Sequence, residues 1–172
     1  MPPKFKFTKE EILEASLEMV RHEGLQAVTA RSVGQALDSS SKVIFSLFRN
    51  MDELHEEIFK AAYNKYLSFL QQDVDRGQYP PYKAMGMAYI RFAKEERELF
   101  QLLFMRDRRE EAQSSEDESF DRMVAVVQHN SGLDYEKARL FHLEMWAYVH
   151  GIATMFVTGY LDLDWELVSK IL

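Results

Sequence analysis

Residues 24–54 read GLQAVTARSVGQALDSSSKVIFSLFRNMDEL, and this stretch decides the fold of the N-terminal part of the chain. Thr29 can cap a helix of about two turns that ends near Leu37, and a second short helix is expected over residues 40–46. A longer helical pattern precedes both of them. Two short helices that follow a longer one, with a tight turn between them, predict a helix-turn-helix.

The second short helix has two sides of different character. In a helix-turn-helix one helix crosses a phosphate backbone and the other lies in the major groove, so the outward residues must be small or polar. The inner side must be anchored to the core, and five residues can supply that anchor: Val33, Leu37, Ile44, Leu47 and Phe48. The outward side is left to Ser40, Ser41, Lys42, Val43, Phe45 and Ser46.

Two helix starts flank this segment and suit phosphate groups. Thr29 places backbone N–H groups and a hydroxyl at the first start, and Arg49 stands beside the second, at Asn50. We therefore predict a DNA-binding surface that contains Thr29, Ser40, Ser41, Lys42, Phe45, Ser46 and Arg49.

The rest of the chain predicts an all-α protein of about nine helices, because apolar residues recur with helical spacing and few glycines or prolines interrupt them. Thr8 and Glu11 form a capping-box pattern, and Asn50 is expected to cap the fourth helix with Glu53 as its reciprocal partner. Asp134 caps the eighth helix and Asp164 the ninth. The later helices are expected at about 82–93, 95–106, 119–130, 135–160 and 164–172, with a mobile surface connection over 107–119.

Charge is distributed unevenly along the chain. Residues 1–50 contain seven Lys or Arg against six Asp or Glu, a net charge of +1, whereas the whole chain carries -7. A nucleic-acid surface therefore belongs to the first part. We predict a DNA-binding domain over 1–50 and a ligand-sensing and dimerisation domain over 51–172, joined rigidly through the fourth helix.

The N-terminal motif resembles the TetR/AcrR family of bacterial transcriptional regulators. Its pattern is G…T-x-R-x-[IV]-A-x-x-A-G-V-S-x-x-x-[LI]-Y-x-[YH]-F-x-x-K-x-x-L, and the match covers roughly residues 8–60. The residues that fall on it in register are Thr29, Arg31, Val33, Ser40, Ile44, Phe48 and Leu54. The resemblance implies a DNA-binding regulator, which is expected to be a repressor, and it adds Arg31 to the predicted DNA-binding surface.

The chain departs from the family pattern at several positions. The customary Gly-Val turn is Asp38-Ser39, the customary Ala of the second helix is Gly34, and the Thr often found in the third helix is Val43. Asp38 places a negative charge near an expected phosphate. An alternative therefore stays open, in which the chain is a helix-turn-helix descendant that acts mainly as a small-molecule or protein-binding module with weak DNA affinity.

Two C-terminal segments also resemble this family. Residues 91–104, RFAKEERELFQLLF, are similar to its FA…P-E-L-F-x-L-L-F run, with Glu96 where Pro is common. Residues 146–151, WAYVHG, are similar to the Trp-…-His-Gly signature of one class of its C-terminal domains. The resemblance implies that the last two helices form a four-helix interface in a homodimer.

A strip of small residues follows the eighth helix at spacing i, i+4, i+7 and i+11: Ala147, Gly151, Thr154 and Thr158. Such a strip lets another helix approach closely, either within one chain or across a two-fold axis. The family resemblance favours the two-fold interface. A homodimer would present two recognition helices to a palindromic operator in double-stranded DNA.

Methionine and aromatic residues in the C-terminal part predict a pocket for a small, mostly apolar effector. The predicted lining is Tyr89, Phe92, Phe104, Met123, Val127, His142, Met145 and Trp146, and plain core packing is the alternative for each of them. His142 and His150 lie on diverging faces of one helix, and no further metal ligands accompany them. We predict no metal site and no cofactor.

Other classes of protein fit the sequence less well. None of the five histidines follows a Glu by three residues, as a di-iron carboxylate bundle requires, and no catalytic or phosphate-binding motif occurs, so we predict no enzyme. The N-terminus MPPKFKFTKE lacks the apolar core of a signal peptide, which predicts a cytoplasmic protein. Residues 145–161 contain no charged side chain, but His150, Gly151 and two threonines favour a buried helix over a membrane span.

Overall fold

The computed structural model describes residues 7–107 and 114–172, with 114–118 described as backbone only. Within these ranges the chain forms nine α-helices and one 3-10 turn, Leu25–Ala27, and no strand, which confirms the all-α prediction. The helices are α1 (Lys9–Glu23), α2 (Ala30–Ala36), α3 (Lys42–Leu47), α4 (Met51–Arg76), α5 (Pro81–Glu95), α6 (Arg97–Phe104), α7 (Ser114–Ser131), α8 (Tyr135–Thr158) and α9 (Trp165–Ile171).

Side-chain caps start five of these helices where the sequence predicts them: α1, α2, α4, α8 and α9. Thr8 and Glu11 form a complete capping box at α1, and Thr29 caps α2. The carboxylates of Asp134 and Asp164 accept backbone N–H groups at the starts of α8 and α9. Each cap satisfies a backbone donor that has no partner inside the helix, which fixes the helix start.

Two local predictions are wrong. The expected surface connection over 107–119 is helical from Ser114 onward, while residues 108–113 lie outside the described part of the chain. Val124 and Val127 of the same helix are buried, and the helix that they anchor extends N-terminally to Ser114. At α4, the Asn50 side chain accepts the Glu53 backbone N–H, as predicted. The Glu53 carboxylate, however, accepts the backbone N–H of Arg49 rather than that of Asn50.

The chain divides by its contacts into two compact units. The first unit holds the chain up to Leu67 together with Glu96–Arg106, and the second holds Ser68–Glu95 and the chain from Asp107 onward. The division falls inside α4, and α6 belongs to the first unit. A functional boundary at residue 50 stays a prediction, because a division by contacts and a division by function need not coincide.

The core of the first unit is made by α1, α2, α3, α4 and α6. Helix α1 contacts both α2 and α6, and α2 contacts α3. Its largest fully buried side chains are Ile12, Val20, Val33, Ile44, Leu54, Ile58, Leu99, Phe100 and Leu103. Because α2 and α3 are short, their stability depends on this packing rather than on helix propensity.

The core of the second unit centres on α8, which packs against α5 and α7. Helix α9 ends beside α5, where Gly86 leaves room for Leu172: a Cβ at Gly86 would lie 2.8 Å from the Leu172 Cδ2 atom. The buried apolar residues of this unit include Ala84, Met87, Ile90, Val124, Val127, Ala138, Ile152, Ala153, Val157 and Val168. Across the described ranges, no helix is long and apolar enough to cross a membrane.

Candidate functional site

All eight residues predicted to contact DNA are exposed on the first unit. They occupy the start of α2, the turn that follows it, α3 and the loop before α4. We call these residues the predicted DNA surface: Thr29, Arg31, Ser40, Ser41, Lys42, Phe45, Ser46 and Arg49. Their exposure agrees with the outward side that was predicted from the sequence.

The inner side of the same segment fastens it to the core. Val33 and Ile44 have no exposed surface, and Phe48 is 2% exposed. Leu37 and Leu47 are half-buried. Burying a side chain of this size contributes about 1.5–3 kcal/mol, so these anchors hold a six-residue helix that would not form alone.

The turn between α2 and α3 depends on Gly34 and Asp38. A Cβ at Gly34 would lie 2.9 Å from the Ser41 nitrogen and 3.0 Å from the Ser40 carbonyl carbon, so only glycine lets the turn approach α2 this closely. The Ser39 N–H donates to the Gly34 carbonyl at 2.8 Å. Asp38 adopts φ 46°, in the left-handed region, where Asp is tolerated better than most residues.

Two hydroxyl groups of the predicted DNA surface already form hydrogen bonds within the protein. The Thr29 Oγ1 atom accepts the Ser32 backbone N–H at 3.1 Å, and Ser46 donates its hydroxyl to the Val43 carbonyl at 2.6 Å. The Ser46 hydroxyl can therefore only accept a hydrogen bond from a ligand. Most of the donor capacity of the surface lies with Arg31, Lys42 and the other two serines.

Glu53 lies beside the predicted DNA surface and accepts hydrogen bonds from two cationic residues. Its carboxylate accepts the Arg49 backbone N–H at 2.8 Å, the Arg49 Nε at 3.1 Å and the Lys9 Nζ at 2.9 Å. The Arg49 backbone bond contributes most, ahead of Lys9, and together these bonds lower the pKa of Glu53 to about 2. Glu53 therefore stays ionised and offsets part of the charge of Arg49, which leaves Arg31 and Lys42 as the main cationic groups.

A buried carboxylate ties together three helices of the first unit. Glu96, whose side chain is 6% exposed, accepts Nε and Nη2 of Arg21 at 2.7 Å each, and Lys65 Nζ lies 3.4 Å away. Arg21 also donates to Glu18 at 2.7 Å. The hydrogen bond to Glu96 is the main cause that raises the pKa of Arg21. We call these four residues the Glu96 cluster; it joins α1, α4 and the residue that opens α6.

No pattern in the sequence predicts the Glu96 cluster. Arg21 and Glu96 are 75 residues apart, and no local pattern indicates that they meet. The one available signal was Glu96 itself, since a carboxylate stands where the similar family run commonly has proline. A buried carboxylate requires a partner, but Glu96 lies among five other charged residues in this run, so the sequence does not mark it as buried.

The residues predicted to line an effector pocket fall in both units. Phe104 belongs to the first unit, where its ring lies 5.0 Å from that of Tyr66 and 5.1 Å from that of Phe100. The other seven belong to the second unit. Tyr89, Phe92, Val127 and His142 are buried, Met123 and Met145 are half-buried, and Trp146 is 50% exposed.

Two tyrosine–histidine hydrogen bonds join α5 to α8 in the second unit. The Tyr82 hydroxyl lies 2.9 Å from His142 Nδ1, and the Tyr89 hydroxyl lies 2.8 Å from His150 Nδ1. Burial lowers the pKa of both histidines and raises the pKa of Tyr82 to about 12. Burial therefore favours the uncharged form of His142, His150 and Tyr82, so the pairs are polar positions at which charge is disfavoured.

An aromatic group surrounds one of these pairs. The Phe120 ring lies 4.7 Å from the His142 ring and 6.4 Å from the Trp146 ring, and Tyr82 and Phe120 both pack against the cluster of Val124, Val127 and Ala138. The structure thus brings together three residues predicted to line the pocket: His142, Trp146 and Val127. Tyr82 and Phe120 were not predicted, because nothing local links them to residues so far along the chain.

The small-residue strip on α8, formed by Ala147, Gly151, Thr154 and Thr158, is accessible in the single chain. Ala147 and Thr158 are exposed, while Gly151 and Thr154 are half-buried. A Cβ built at Gly151 meets no atom within 4 Å. The Thr154 and Thr158 hydroxyls donate to the carbonyls of Gly151 and Thr154, each at 2.8 Å, which makes the strip less polar than its sequence indicates. Exposed apolar side chains flank it: Leu140 (56%), Tyr148 (43%) and Met155 (36%).

No group of three or more His, Asp or Glu side chains is placed to hold a metal ion in the residues that the structure describes.

A family model described as "Tetracyclin repressor-like, C-terminal domain" matches residues 82–169, which is half of the chain. No curated protein is similar enough to the chain to give a match. The matched range begins at Tyr82 and contains α6, α8 and both tyrosine–histidine pairs.

Proposed function

Because this chain belongs to the tetracycline repressor-like (TetR) family, we propose that it is a DNA-binding transcriptional regulator that acts as a repressor. The observation that carries the proposal is the segregation of α2 and α3 into an exposed polar side and a buried apolar side. All eight residues of the predicted DNA surface are exposed, while Val33, Ile44 and Phe48 are buried. A helix pair that is used only for packing does not require seven exposed polar side chains on its outer side.

The proposed contacts with DNA follow from this arrangement. Helix α3 enters the major groove with Lys42 and Phe45 toward the base edges, and α2 lies across the phosphate backbone with Thr29 and Arg31. Arg49 contacts a second phosphate. Lys42 is the group best suited to read a base, because a lysine ammonium can donate to the O6 and N7 atoms of guanine.

We propose a homodimer that forms through α8 and α9. The support comes from the accessible small-residue strip, the exposed Leu140, Tyr148 and Met155 beside it, and the exposed Leu167 and Ile171 of α9. Exposed apolar side chains that lie close together on a protein surface mark an interaction site more often than apolar residues scattered singly do. A two-fold dimer presents two copies of α3 to a palindromic operator whose half-sites lie about one helical turn apart.

We further propose that a small, mostly apolar effector binds the C-terminal part and releases the protein from DNA. The candidate lining is the part of the predicted set that lies in the second unit: Tyr89, Phe92, Met123, Val127, His142, Met145 and Trp146. The two tyrosine–histidine pairs give this set uncharged polar groups that can orient a ligand. Helix α4 is continuous from Met51 to Arg76, so it is the element through which the effector would act on the DNA-binding part.

A selection experiment tests the proposed function. Purified protein is incubated with a pool of random DNA duplexes, and bound fragments are recovered and sequenced over several rounds. We expect an inverted repeat with half-sites about one helical turn apart. Recovery without any enriched sequence would contradict the proposal that this is an operator-binding regulator.

One observation favours a second candidate function, a helix-turn-helix descendant with weak DNA affinity. Asp38 adds a negative charge at the turn of the predicted DNA surface, and Glu53 offsets part of the charge of Arg49. Replacing Asp38 with asparagine removes the charge and keeps a residue that tolerates the left-handed conformation. We expect DNA affinity at low salt to rise about fivefold per subunit, roughly thirtyfold for the dimer, since one nearby like charge costs on the order of 1 kcal/mol per subunit.

Fluorescence anisotropy on the selected duplex checks this expectation, with Asp38→Gly as a second variant and Asp75→Asn on α4 as the control. Asp75→Asn removes an equal charge from the second unit and should leave the affinity unchanged. If wild type and both Asp38 variants all fail to bind DNA, the binding-module function replaces the regulator.

A further inference from the structure

Phe45 is the most exposed apolar side chain of α3. Its exposed fraction is 54%, whereas the neighbouring Ile44 is completely buried and Phe48 is 2% exposed. Ser41 and Lys42 precede it by four and three residues, so the three side chains share one face of the helix. An exposed phenyl ring among polar residues adds nothing to the core of the protein, and its position therefore requires a reason outside the core.

The chemistry of the ring restricts what it can recognise in DNA. A phenyl group has no hydrogen-bond donor or acceptor for a phosphate or a base edge. The only apolar group that an unmodified major groove presents is the 5-methyl group of thymine. On the proposed function, which places α3 in the major groove, Phe45 meets base edges and can distinguish thymine through that methyl group alone.

The neighbours of Phe45 do not compete for this role. Ser46 uses its hydroxyl hydrogen on the Val43 carbonyl, and Lys42 can read guanine but no methyl group. Arg31 and Arg49 are proposed to contact phosphates, which carry no sequence information. Recognition of a thymine methyl group by this helix therefore rests on Phe45.

We propose that Phe45 is a specificity-determining residue that reads a thymine 5-methyl group in each half-site of the operator. The proposal rests on the proposed DNA-binding function and extends it to one named base contact. It also accounts for a phenylalanine where the similar family pattern has tyrosine, since a ring without a hydroxyl is suited to a methyl group and not to a phosphate.

Deoxyuridine provides the test, because it differs from thymidine only by the absent methyl group. In the selected palindromic duplex each thymine is replaced in turn by uracil, in both half-sites together, and affinity is measured by anisotropy. For wild type we expect one position at which the affinity falls about fourfold per half-site, roughly fifteenfold in the symmetric duplex, as for the loss of one buried methyl-sized group. In Phe45→Ala the thymine duplex binds more weakly and the uracil effect at that position disappears.

Two comparisons complete the experiment. Phe45→Leu keeps an apolar side chain and should retain part of the uracil effect, and thermal unfolding should be nearly unchanged in both variants because Phe45 is exposed. Equal uracil effects in wild type and Phe45→Ala at every position would overturn this inference while leaving DNA binding intact. A wild-type protein that selects no DNA sequence would instead overturn the proposed function, and this inference with it.

Discussion

Replacement of Glu96 by alanine is expected to lower the free energy of unfolding by about 3 kcal/mol. The Glu96 carboxylate is almost completely buried and accepts two bonds from Arg21 at 2.7 Å, with Lys65 at 3.4 Å. Removing the carboxylate leaves two positive charges close together and only partly exposed, at 31% for each side chain. Because those charges reach some water, the loss should lie at the lower end of the range for breaking a buried ion pair.

Urea denaturation measures this loss against a matched exposed pair. Glu57→Ala removes the partner of Lys60, which also lies 2.7 Å away but on the surface, and it should cost far less than Glu96→Ala because solvent screens the pair. Glu96→Gln keeps an acceptor and should fall between the two variants. Equal losses for Glu96→Ala and Glu57→Ala would show that the Glu96 cluster does not hold α1, α4 and α6 together.

Replacement of Gly151 by glutamate is expected to separate dimerisation from folding. In the single chain a side chain at Gly151 meets open space, and glutamate favours a helix more than glycine does, so the subunit should remain folded. In the proposed dimer the same side chain meets its copy near the two-fold axis, where it adds bulk and like charge at a close helix approach. We expect the dimer dissociation constant to rise by about 100-fold or more, which corresponds to roughly 3 kcal/mol.

Sedimentation velocity over a range of protein concentrations measures this change, and circular dichroism verifies that the helices are intact. Gln72→Glu, an exposed site on α4, controls for the added charge and should dimerise as wild type does. Gly151→Ala adds only a methyl group and should show a smaller effect. A Gly151→Glu protein with the wild-type dissociation constant would place the dimer interface elsewhere, or exclude the dimer.

The helix-turn-helix could be predicted because its requirements are local. Thr29, Val33, Ile44 and Phe48 take part in caps and buried contacts within one short segment, and their spacing alone separates the outer side from the inner side. The caps at Thr8, Asp134 and Asp164 are local in the same sense. A pattern of this kind can be recognised in the sequence without knowing how the helices pack.

Contacts between distant residues could not be predicted in this way. Arg21 meets Glu96, Tyr82 meets His142, and Phe120 meets Trp146 because helices pack in a particular arrangement that no single helix specifies. Helical periodicity identifies which face of a helix is apolar, but it does not identify the partner of that face. Phe104 illustrates the limit, since it was grouped with effector-lining residues of the second unit and instead packs with Tyr66 and Phe100 in the first.

The central claim is that the exposed side of α2 and α3 binds the phosphates and bases of an operator. The most direct measurement is the affinity for the selected duplex between about 50 and 200 mM salt, for wild type, Arg31→Ala and Lys60→Ala. We predict salt-sensitive binding by wild type, a slope of log affinity against log salt that is shallower by about one per subunit in Arg31→Ala, which loses a proposed phosphate contact, and an unchanged slope in Lys60→Ala. Salt-insensitive binding, or identical slopes in the two variants, would contradict the claim.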